Sequence, residues 1–334
     1  MSERYILVIK RVPNEDFTPL EPEFKLVYLD SLSSEEKDRL YSDILPNTEG
    51  IIATGPVNSE LIAKALQLKV IMVNGAGYDD IDVRAASALQ IPVYNMPDTT
   101  AAATAELAFS LMLAVARRVG ELNYRLRTDT KHLDNYFAIG QNPGITLQGK
   151  TLGIIGMGHI GSKLARMALA LNMKIVYTQR HQLPIGLEQS KRFLYFNDLL
   201  AMSDVVSINC PLTEETRGMF NEKAFMRMKA GSILINTARG EIVDQKQLVR
   251  FLKTGKLYGA GLDVFPNGSE IEPELLELPN VVLTPHIGSN TMDTRNEMAK
   301  RIVSIVKAVC DDEAVLKGNL VNAESLKAKN GSSR

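Results

Sequence analysis

Three glycines after a short apolar run place the strongest constraint on how this chain can fold. The run 152–155 reads Leu-Gly-Ile-Ile, which is typical of a buried parallel strand. Gly156, Gly158 and Gly161 follow it in the pattern G-x-G-x-x-G. Residues 162–171 then predict a helix, and residues 173–177 predict a second strand. The stretch therefore predicts the strand, turn, helix and strand of a parallel α/β unit.

Each glycine has a separate physical task in such a unit. Gly156 allows the tight turn, Gly158 lets the backbone approach a ligand with no Cβ in the way, and Gly161 lets the helix lie close to the strand. The positive end of that helix suits a pyrophosphate. A glycine-rich turn can be purely structural, but the complete context from strand to strand favours a dinucleotide-binding site.

The end of the second predicted strand indicates which dinucleotide is bound. Proteins that select NAD place an Asp or Glu there to hold the ribose 2′-OH. Here Gln179 occupies that place and Arg180 follows, with a guanidinium suited to a 2′-phosphate. We therefore expect NADP(H) in preference to NAD(H). The alternative is that Arg180 is an ordinary exposed surface residue.

Length and charge limit the class of protein. The 334 residues accommodate a second domain beside the nucleotide-binding one. The 38 Lys and Arg nearly balance the 39 Asp and Glu, so no global field favours nucleic acid or an anionic membrane, and small molecules are the expected partners. Cys210 and Cys310 form neither a metal-ligand spacing nor a disulfide framework. We expect no metal, no signal peptide and a reducing, cytoplasmic setting.

A second α/β unit is expected before the glycines. Short apolar runs alternate there with helix-like segments, which predicts another parallel sheet. The predicted strands are 5–9, 26–29, 50–54, 70–73 and 93–95, and the predicted helices are 34–45, capped by Ser33, and 59–66.

Residues 101–119 form the segment with the highest helix propensity. They are apolar on nearly every side, so we expect a helix buried between layers, domains or subunits. Glu106 interrupts the segment, which also falls short of the about 20 apolar residues that span a bilayer. We interpret it as the crossing between domains and as a contact of a homodimer. Residues 120–148 are polar and weakly periodic, and they predict a long connection.

The alternation resumes after the second strand of the glycine unit, with predicted helices at 198–202 and 222–227 and strands at 205–209 and 232–236. Polar residues gather where strands end, which is where ligands bind in open α/β sheets. The groups are Cys210-Pro211-Leu212-Thr213, Asn236-Thr237-Ala238-Arg239-Gly240, Gly261-Leu262-Asp263-Val264 and Thr284-Pro285-His286-Ile287-Gly288.

Together with the glycine pattern, these groups resemble the motifs of the D-isomer-specific 2-hydroxyacid dehydrogenase family. Arg180 makes the chain most similar to the glyoxylate and hydroxypyruvate reductase branch, because it resembles the NADPH-using members. The resemblance implies two doubly wound parallel-sheet domains with the active site in the cleft between them. A Rossmann domain would span 101–287, and a flavodoxin-like substrate-binding domain would combine 1–100 with 288–334.

The residues themselves suggest the chemistry. A 2-oxo acid offers a carboxylate and a ketone, and the resemblance assigns Arg239, a planar fork of donors, to bind them. The backbone N–H groups of Gly75, Ala76 and Gly77 can be aimed at the same carboxylate. His286 titrates near neutral pH and suits a proton donor to the carbonyl oxygen, or a base in the reverse direction. The alternatives are a structural histidine and, for Arg239, an ion pair between domains.

One departure from the family pattern concerns the partner of His286. The family has a Glu that orients the histidine and raises its pKa, and the corresponding place here is Gly268. A reshaped loop would bring Glu270 or Glu272 to His286 instead, and the alternative is that both are solvated. Without a carboxylate, the pKa of His286 should lie lower and reduction should decline at lower pH.

Further cofactor contacts follow from the resemblance alone. It places Asp263 near the nicotinamide, although a helix cap is the alternative. Cys210 is another such contact, and the alternative is a small buried residue, the commoner role of cysteine. The remaining positions are Thr104, His159, Ile160, Pro211, Thr216, Thr237, Ala238 and Gly288.

Three functions remain open from the sequence. The first is an NADPH-dependent reductase of glyoxylate or hydroxypyruvate that forms the D-2-hydroxy acid. The second is a dehydrogenase for bulkier 2-oxo acids, with Tyr78 among the side chains that would set the pocket size. The third is a protein that binds a dinucleotide and a protein partner without turnover, as the corepressors of the family do.

Overall fold

The computed structural model of this chain describes residues 3–129, 131, 136–184, 186, 190–315 and 318–330, without the side chains of 327–330. The chain divides into two compact units. One comprises Met1–Thr100 and Ser289–Arg334, and the other comprises Ala101–Gly288. We refer to them as the discontinuous unit and the central unit.

Strands alternate with helices along most of the described chain. The strands are β1 (Tyr5–Val8), β2 (Lys25–Tyr28), β3 (Thr48–Ala53), β4 (Val70–Val73), β5 (Val93–Asn95), β6 (Thr151–Ile155), β7 (Lys174–Thr178), β8 (Lys191–Phe193), β9 (Val205–Ile208), β10 (Ser232–Asn236), β11 (Leu257–Leu262), β12 (Val281–Leu283) and β13 (Asn319–Leu320).

The α-helices with described bounds are α1 (Ser34–Arg39), α2 (Ser59–Lys64), α3 (Val83–Ala88), α4 (Pro97–Ala116), α5 (Val119–Thr128), α6 (His159–Ala170), α7 (Phe196–Met202), α8 (Glu222–Arg227), α9 (Gln245–Lys253), α10 (Pro273–Glu277), α11 (Met292–Cys310) and α12 (Ala323–Asn330). Short 3-10 turns lie at Thr18–Leu20, Leu29–Ser31, Gly240–Ile242 and Pro266–Gly268.

The discontinuous unit is built on a sheet in the order β13-β5-β4-β3-β1-β2. Its strands are parallel except β13, which pairs antiparallel with β5. Both faces of the sheet are covered, as a parallel sheet requires. Along β1, Tyr5 and Leu7 pack into one apolar cluster, whereas Ile6 and Val8 pack into another that includes the inner face of α11.

The central unit is built on a parallel sheet in the order β12-β11-β10-β9-β6-β7-β8. The chain runs outward from β6 to β8, returns to pair β9 beside β6, and then runs outward on the other side. This reversal between β6 and β9 is the crevice where open α/β sheets bind ligands. The predicted fold class, two doubly wound parallel-sheet domains, is confirmed.

Helix bounds differ from the prediction where a special backbone conformation decides them. The predicted helix 34–45 is capped by Ser33 in a capping box, but it changes after Arg39 into a π-helix at Leu40–Ile44. Helix α6 begins three residues earlier than predicted, because Gly158 already serves as its N-cap. The prediction that 120–148 form only a connection was wrong, since α5 occupies its start.

Arg118 explains the boundary between α4 and α5. Its left-handed conformation, with φ 56°, separates the two helices. Its side chain pairs with Glu121, which also receives Arg125 from the next turn of α5. These pairs stabilise a short polar helix that the apolar periodicity alone does not reveal.

Helix α4 is long and apolar enough to cross a membrane by length and composition alone. However, 56% of its most apolar window is buried inside the protein, as in the core helix of a globular domain. Its exposed positions recur at helical spacing and form one narrow stripe, which consists of Asp98, Ala102, Glu106 and Ser110.

Candidate functional site

The strand ends of the central unit form one aligned edge. Ile155 of β6 is in register with Thr178 of β7 and Ile208 of β9. Across β10, Asn236 continues this register to Leu262 of β11. Because all these strands are parallel, the residues that follow each of them lie at the same edge of the sheet.

The three glycines of the loop after β6 differ in what surrounds them. Gly156 has φ +94°, and a Cβ there would lie 2.7 Å from the carbonyl oxygen of Asn209. A Cβ at Gly161 would lie 2.2 Å from the carbonyl oxygen of Gly156. A Cβ at Gly158 would meet nothing within 4 Å. Packing therefore requires glycine at 156 and 161, whereas Gly158 leaves open backbone at the surface of the loop.

The N-terminus of α6 has the properties of an anion site. Gly158, its N-cap, brings no side chain to the first-turn N–H groups, and no acidic residue lies in that turn. The helix is 12 residues long, so its N-terminus carries a partial positive charge. His159 and Ile160, two predicted cofactor contacts, form this first turn.

Gln179 has a structural task that the sequence did not indicate. Its Oε1 accepts a hydrogen bond from the Met157 backbone N–H at 3.2 Å, and its Nε2 donates to the His181 carbonyl at 2.7 Å. The side chain therefore connects the glycine loop to the segment after β7. A neutral amide, which offers both an acceptor and a donor, makes both bonds, whereas a carboxylate cannot donate the second.

Arg180 is exposed at the end of β7. The pKa of Glu215 is lowered, mainly by the hydrogen bond from Thr213 and also by the charge of Arg180. Arg180 is thus within electrostatic reach of the segment after β9, which contains two predicted contacts, Pro211 and Thr216. Thr216 uses its hydroxyl within this segment and donates to the Pro211 carbonyl at 2.8 Å.

Two orphaned polar atoms lie at this edge. Asn209 Oδ1 and Thr237 Oγ1 are buried and have no hydrogen-bond partner among the described residues. An unpaired buried polar atom costs about 1–3 kcal/mol, so such atoms usually mark a missing water or ligand. Their position beside the glycine loop fits a polar ligand such as a dinucleotide.

Cys210, between these two atoms in sequence, is not a reactive thiol. Burial raises its pKa to about 11, so it is protonated near neutral pH. It packs against an apolar cluster of the central unit, as small buried cysteines do.

Asn236 shapes the turn that carries Arg239. Its Nδ2 donates to the Arg239 carbonyl at 2.8 Å, and its Oδ1 accepts from the Ala238 N–H at 3.0 Å. Gly240 then lets this turn pack against the loop after β11, because a Cβ there would lie 2.0 Å from the backbone carbon of Phe265. Asn at a strand end is the signal that could have predicted this turn.

Asp263 holds the loop that carries His286. Asp263 is 1% exposed, and its Oδ1 accepts from the Thr284 hydroxyl at 2.6 Å and from the Ile287 N–H at 2.8 Å. Its Oδ2 accepts from the Gly288 N–H at 2.8 Å. The carboxylate therefore binds the loop on both sides of His286, which is a different task from both the nicotinamide contact and the helix cap considered above.

The backbone of His286 is in the left-handed region, with φ 54°. Such a conformation costs of order 1–3 kcal/mol and persists only where the surroundings impose it. The His286 N–H donates to the Asp263 carbonyl at 2.9 Å, which adds to the side-chain bonds of Asp263. The loop is therefore fixed in a strained form that leaves the histidine exposed at the edge of the sheet.

Thr104 and Gly288 complete this corner of the central unit. A Cβ on Gly288 would lie 3.2 Å from Asp263 Oδ2 and 3.3 Å from Thr104 Cγ2. Glycine at 288 thus lets α4 approach the Asp263 carboxylate. The structure brings these two predicted cofactor contacts together.

Glu270 and Glu272 lie beyond the turn at Pro266–Gly268. Glu270 is exposed and Glu272 is half-buried. Gln245 holds the backbone of both, donating to the Glu270 carbonyl and accepting from the Glu272 N–H. Gly268 has φ +82°, so a glutamate at that position would be strained.

The loop after β4 belongs to the discontinuous unit and carries Gly75, Ala76 and Gly77. The Gly75 carbonyl accepts from the Met96 N–H at 2.8 Å, and the Ala76 carbonyl accepts from Asn95 Nδ2 at 2.6 Å. Within the described residues, the N–H groups of Ala76 and Gly77 donate to no protein acceptor. The loop therefore has the Gly75 and Ala76 carbonyls bound and two donors left for a ligand.

Comparison with known proteins agrees with this geometry. Residues 109–288 match the family model described as D-isomer specific 2-hydroxyacid dehydrogenase, NAD binding domain. The chain is 41% identical over 280 residues to a glyoxylate reductase of Thermococcus litoralis, with 82% of this chain and 83% of that protein covered. It is 38% identical over 290 residues to 4-methyl-2-oxopentanoate reductase A of Aspergillus oryzae, with 85% and 84% covered.

A solved structure extends the similarity to three dimensions. The NADPH-dependent glyoxylate/hydroxypyruvate reductase of Sinorhizobium meliloti, in complex with NADP and malonate, is 28% identical to this chain. The two have a TM-score of 0.84, with 97% of this chain and 98% of that chain covered.

Proposed function

Because the chain belongs to the D-isomer-specific 2-hydroxyacid dehydrogenase family, we propose that it uses NADPH to reduce glyoxylate, whose product is an achiral 2-hydroxy acid, or hydroxypyruvate, whose product is the D-2-hydroxy acid. The match to the family model agrees with the family that the sequence motifs resemble. The observation that carries the proposal is the Asp263-bound loop, which presents His286 at the same sheet edge as Arg239 and the glycine loop. A proton donor, a carboxylate-binding cation and a dinucleotide cradle are what this reduction requires.

The central unit supplies the cofactor site in this proposal. Gly156, Gly158 and Gly161 with the N-terminus of α6 hold the pyrophosphate, and Asn209 and Thr237 offer their orphaned atoms as hydrogen-bond partners. When bound, the dinucleotide supplies the hydride that reduces the carbonyl carbon. The remaining contacts proposed are Thr104, His159, Ile160, Gln179, Arg180, Cys210, Pro211, Thr216, Ala238, Asp263 and Gly288.

The chain's own residues perform the binding and the proton transfer. Arg239 binds the substrate carboxylate with its guanidinium, and the N–H groups of Ala76 and Gly77 bind the same carboxylate. The predicted contact from the Gly75 N–H is corrected, because that group donates to the Val73 carbonyl at 2.9 Å. His286 donates a proton from an imidazole nitrogen to the carbonyl oxygen next to the carboxylate, which becomes the hydroxyl of the product. In the reverse direction, the neutral imidazole accepts that proton.

Arg180 supports the preference for NADPH. It is exposed where the ribose 2′-substituent lies in this fold, and Gln179 puts no negative charge beside it. A 2′-phosphate there gains a charge-assisted hydrogen bond from the guanidinium.

The first experiment measures turnover of glyoxylate, hydroxypyruvate and 4-methyl-2-oxopentanoate with NADPH and with NADH. We expect the small acids to react fastest with NADPH, and Arg180→Ala to raise the KM for NADPH by about tenfold while the KM for NADH changes little. Arg192→Ala, which removes an exposed arginine from the neighbouring strand β8, is the matched control. An equal increase of the KM for NADPH in both variants would contradict the role of Arg180.

The same experiment separates the alternatives. The similarity to a 4-methyl-2-oxopentanoate reductase favours a bulkier substrate as the second candidate, and faster turnover of that acid would establish it. NADPH binding without turnover of any 2-oxo acid would instead indicate a non-catalytic regulator.

Glu270 remains the proposed carboxylate partner of His286, in place of the family glutamate at Gly268. If Glu270 raises the pKa of His286, Glu270→Ala should move the decline of reduction to lower pH. Glu272→Ala tests the neighbouring carboxylate in the same assay. An unchanged pH profile in the Glu270 variant would exclude Glu270.

A homodimer is the proposed assembly. Large apolar side chains are exposed in one stretch of the central unit, which suits burial against a second copy. They are Val119, Tyr124, Leu126, Phe137 and Ile139. Light scattering on wild type and Tyr124→Lys tests this, and a monomeric wild type at micromolar concentration would contradict it.

A further inference from the structure

A buried ion pair in the discontinuous unit has no part in the function proposed so far. The side chain of Glu15 is 0% exposed and that of Arg295 is 18% exposed. Arg295 Nη1 donates to Glu15 Oε1 at 2.9 Å, and Asn74 Nδ2 donates to Glu15 Oε2 at 2.6 Å. The network joins the N-terminal segment, the start of α11 and the first residue of the loop after β4.

The network fixes how the Asn74 side chain is oriented. A carboxylate only accepts hydrogen bonds, so the amide nitrogen of Asn74 must face Glu15 and the amide oxygen must face away. That oxygen, Oδ1, is buried without a partner among the described residues. Among the described residues no other bond holds the amide, so its orientation depends on Glu15.

Asn74 is also the start of the loop whose donors are open. Its N–H donates to the Ala53 carbonyl at 3.0 Å, and Met96 and Asn95 bind the carbonyls of Gly75 and Ala76. These bonds hold the backbone from the side of β3 and β5. Glu15 and Arg295 hold the side chain of the first loop residue from another direction.

If the Glu15–Arg295 pair only tied α11 to the N-terminal segment, a solvated ion pair would be sufficient. The same helix α11 is tied to the N-terminal segment by a second ion pair, in which Lys307 Nζ donates to Glu23 at 2.8 Å. That pair is about one third exposed and makes no bond to the loop. The chain therefore already has a solvated ion pair between these segments, whereas a largely buried pair contributes little net stability, because the desolvation of its charges offsets their attraction.

We propose that Glu15, held by Arg295, is a positioning residue that orients Asn74 and thereby the carboxylate-binding N–H groups of Ala76 and Gly77. This assignment rests on the proposed reduction of a 2-oxo acid, because the carboxylate of that substrate is the ligand of the loop. The loop binds a group that does not change during the reaction. If the loop loses its alignment, the binding of the substrate and the binding of the transition state should weaken equally. Such a change raises KM and leaves kcat unchanged.

The test compares Glu15→Gln with Glu23→Gln. Glutamine keeps the size of Glu15 but offers one acceptor oxygen, so it cannot accept from both Arg295 and Asn74 through separate oxygens. We expect the KM for glyoxylate to rise about tenfold with kcat within about twofold of wild type. The affinity for NADPH, measured by calorimetry without substrate, should not change. Glu23→Gln should match wild type in all three quantities.

Variants of the partner strengthen the test. Arg295→Lys keeps a cation that can pair with Glu15, so its KM for glyoxylate should rise less than that of Arg295→Met. Because the two side chains act together on Asn74, their effects should not add. The free-energy loss in kcat/KM of the double variant Glu15→Gln with Arg295→Met should be smaller than the sum of the losses of the single variants. Additive losses would contradict the proposal.

Hydrogen exchange makes the result independent of turnover. We expect faster amide exchange at Asn74 and Met96, whose N–H groups hold the loop by donating to the Ala53 and Gly75 carbonyls, in Glu15→Gln than in wild type or Glu23→Gln. If wild type reduces no 2-oxo acid but this difference appears, the positioning holds and the proposed function fails. If wild type is active and Glu15→Gln changes neither the KM nor the exchange, the positioning fails and the function stands.

Discussion

Asp263 and Glu15 are both buried carboxylates that hold a loop at the end of a strand, one in each unit. Asp263 binds mainly backbone: it accepts from the N–H groups of Ile287 and Gly288, which follow His286, and from the hydroxyl of Thr284, which precedes it. In the part of the chain that the structure describes, the Glu15 carboxylate binds side chains and no backbone group; its partners are Arg295 and Asn74.

The difference determines how strongly each loop depends on its carboxylate. The loop at His286 has a strained backbone, which needs hydrogen bonds to hold it. Asp263 supplies them, because it accepts from the backbone N–H groups of this loop. The loop at Asn74 has other backbone bonds and receives only the orientation of one side chain from Glu15. Loss of Asp263 should therefore affect the chemical step, whereas loss of Glu15 should affect substrate affinity.

The largest effect is expected from Asp263→Asn. The amide nitrogen of asparagine cannot accept from Gly288 or Ile287, so one side of the loop loses its bond and His286 moves. We expect kcat to fall by about a hundredfold, a typical cost of misplacing a catalytic group by about 1 Å. Steady-state kinetics and NADPH calorimetry measure this.

Asp244→Asn is the matched control for this change. Asp244 caps α9 by accepting only from the Gln247 N–H, and asparagine caps helices equally well. Its kcat should stay near the wild-type value. Equal kcat for Asp263→Asn and wild type would show that the loop does not need the carboxylate.

Thr284→Val should have a smaller effect on the same loop. Valine has the shape of threonine but cannot donate to Asp263 Oδ1, which keeps its bond from the Ile287 backbone. We expect the free energy of unfolding to fall by about 1 kcal/mol and kcat by a few-fold. Urea unfolding and kinetics measure both. A loss as large as that of Asp263→Asn would mean that the hydroxyl, and not the backbone bonds, holds the loop.

The smallest effect concerns pH and Glu15. Burial raises the pKa of Glu15 above its ordinary value and outweighs the opposing bonds from Arg295 and Asn74. The folded state therefore keeps the proton at pH values where the unfolded chain has lost it. The contribution of Glu15 to stability is fully present below the ordinary pKa of glutamate and decreases as pH rises through the raised value.

Glu15→Gln removes this titration. The free energy of unfolding of wild type minus that of the variant should decrease with rising pH just above the ordinary glutamate pKa, and thermal unfolding across that interval measures it. The exposed pair of Glu23 and Lys307 offers the comparison. The pKa of Glu23 is lowered, mainly by the hydrogen bond from Lys307. For Glu23→Gln the same difference should increase with pH just below the ordinary glutamate pKa and stay level above it. Parallel curves for the two variants would contradict the burial of Glu15.

The sequence predicted those elements whose pattern is local. Strands such as β4 and β10 are short apolar runs buried on both faces, and their predicted bounds agree with the structure. Helix α5 was missed, because it is stabilised by ion pairs at Glu121 and has no buried residue to produce an apolar period. The start of α4 was misplaced, since Pro97 suits the first turn of a helix as well as a loop.

The sequence by itself determined the glycine pattern, the parallel α/β alternation and the polar groups at the strand ends, because each depends on residues close together in the chain. Only the tertiary structure decided what those groups do. Gln179 connects two loops, Asp263 holds the backbone around His286, and Glu15 meets Arg295 across 280 positions of sequence. The physical reason is that a hydrogen bond depends on distance and direction in space, which the fold sets and residue order does not reveal.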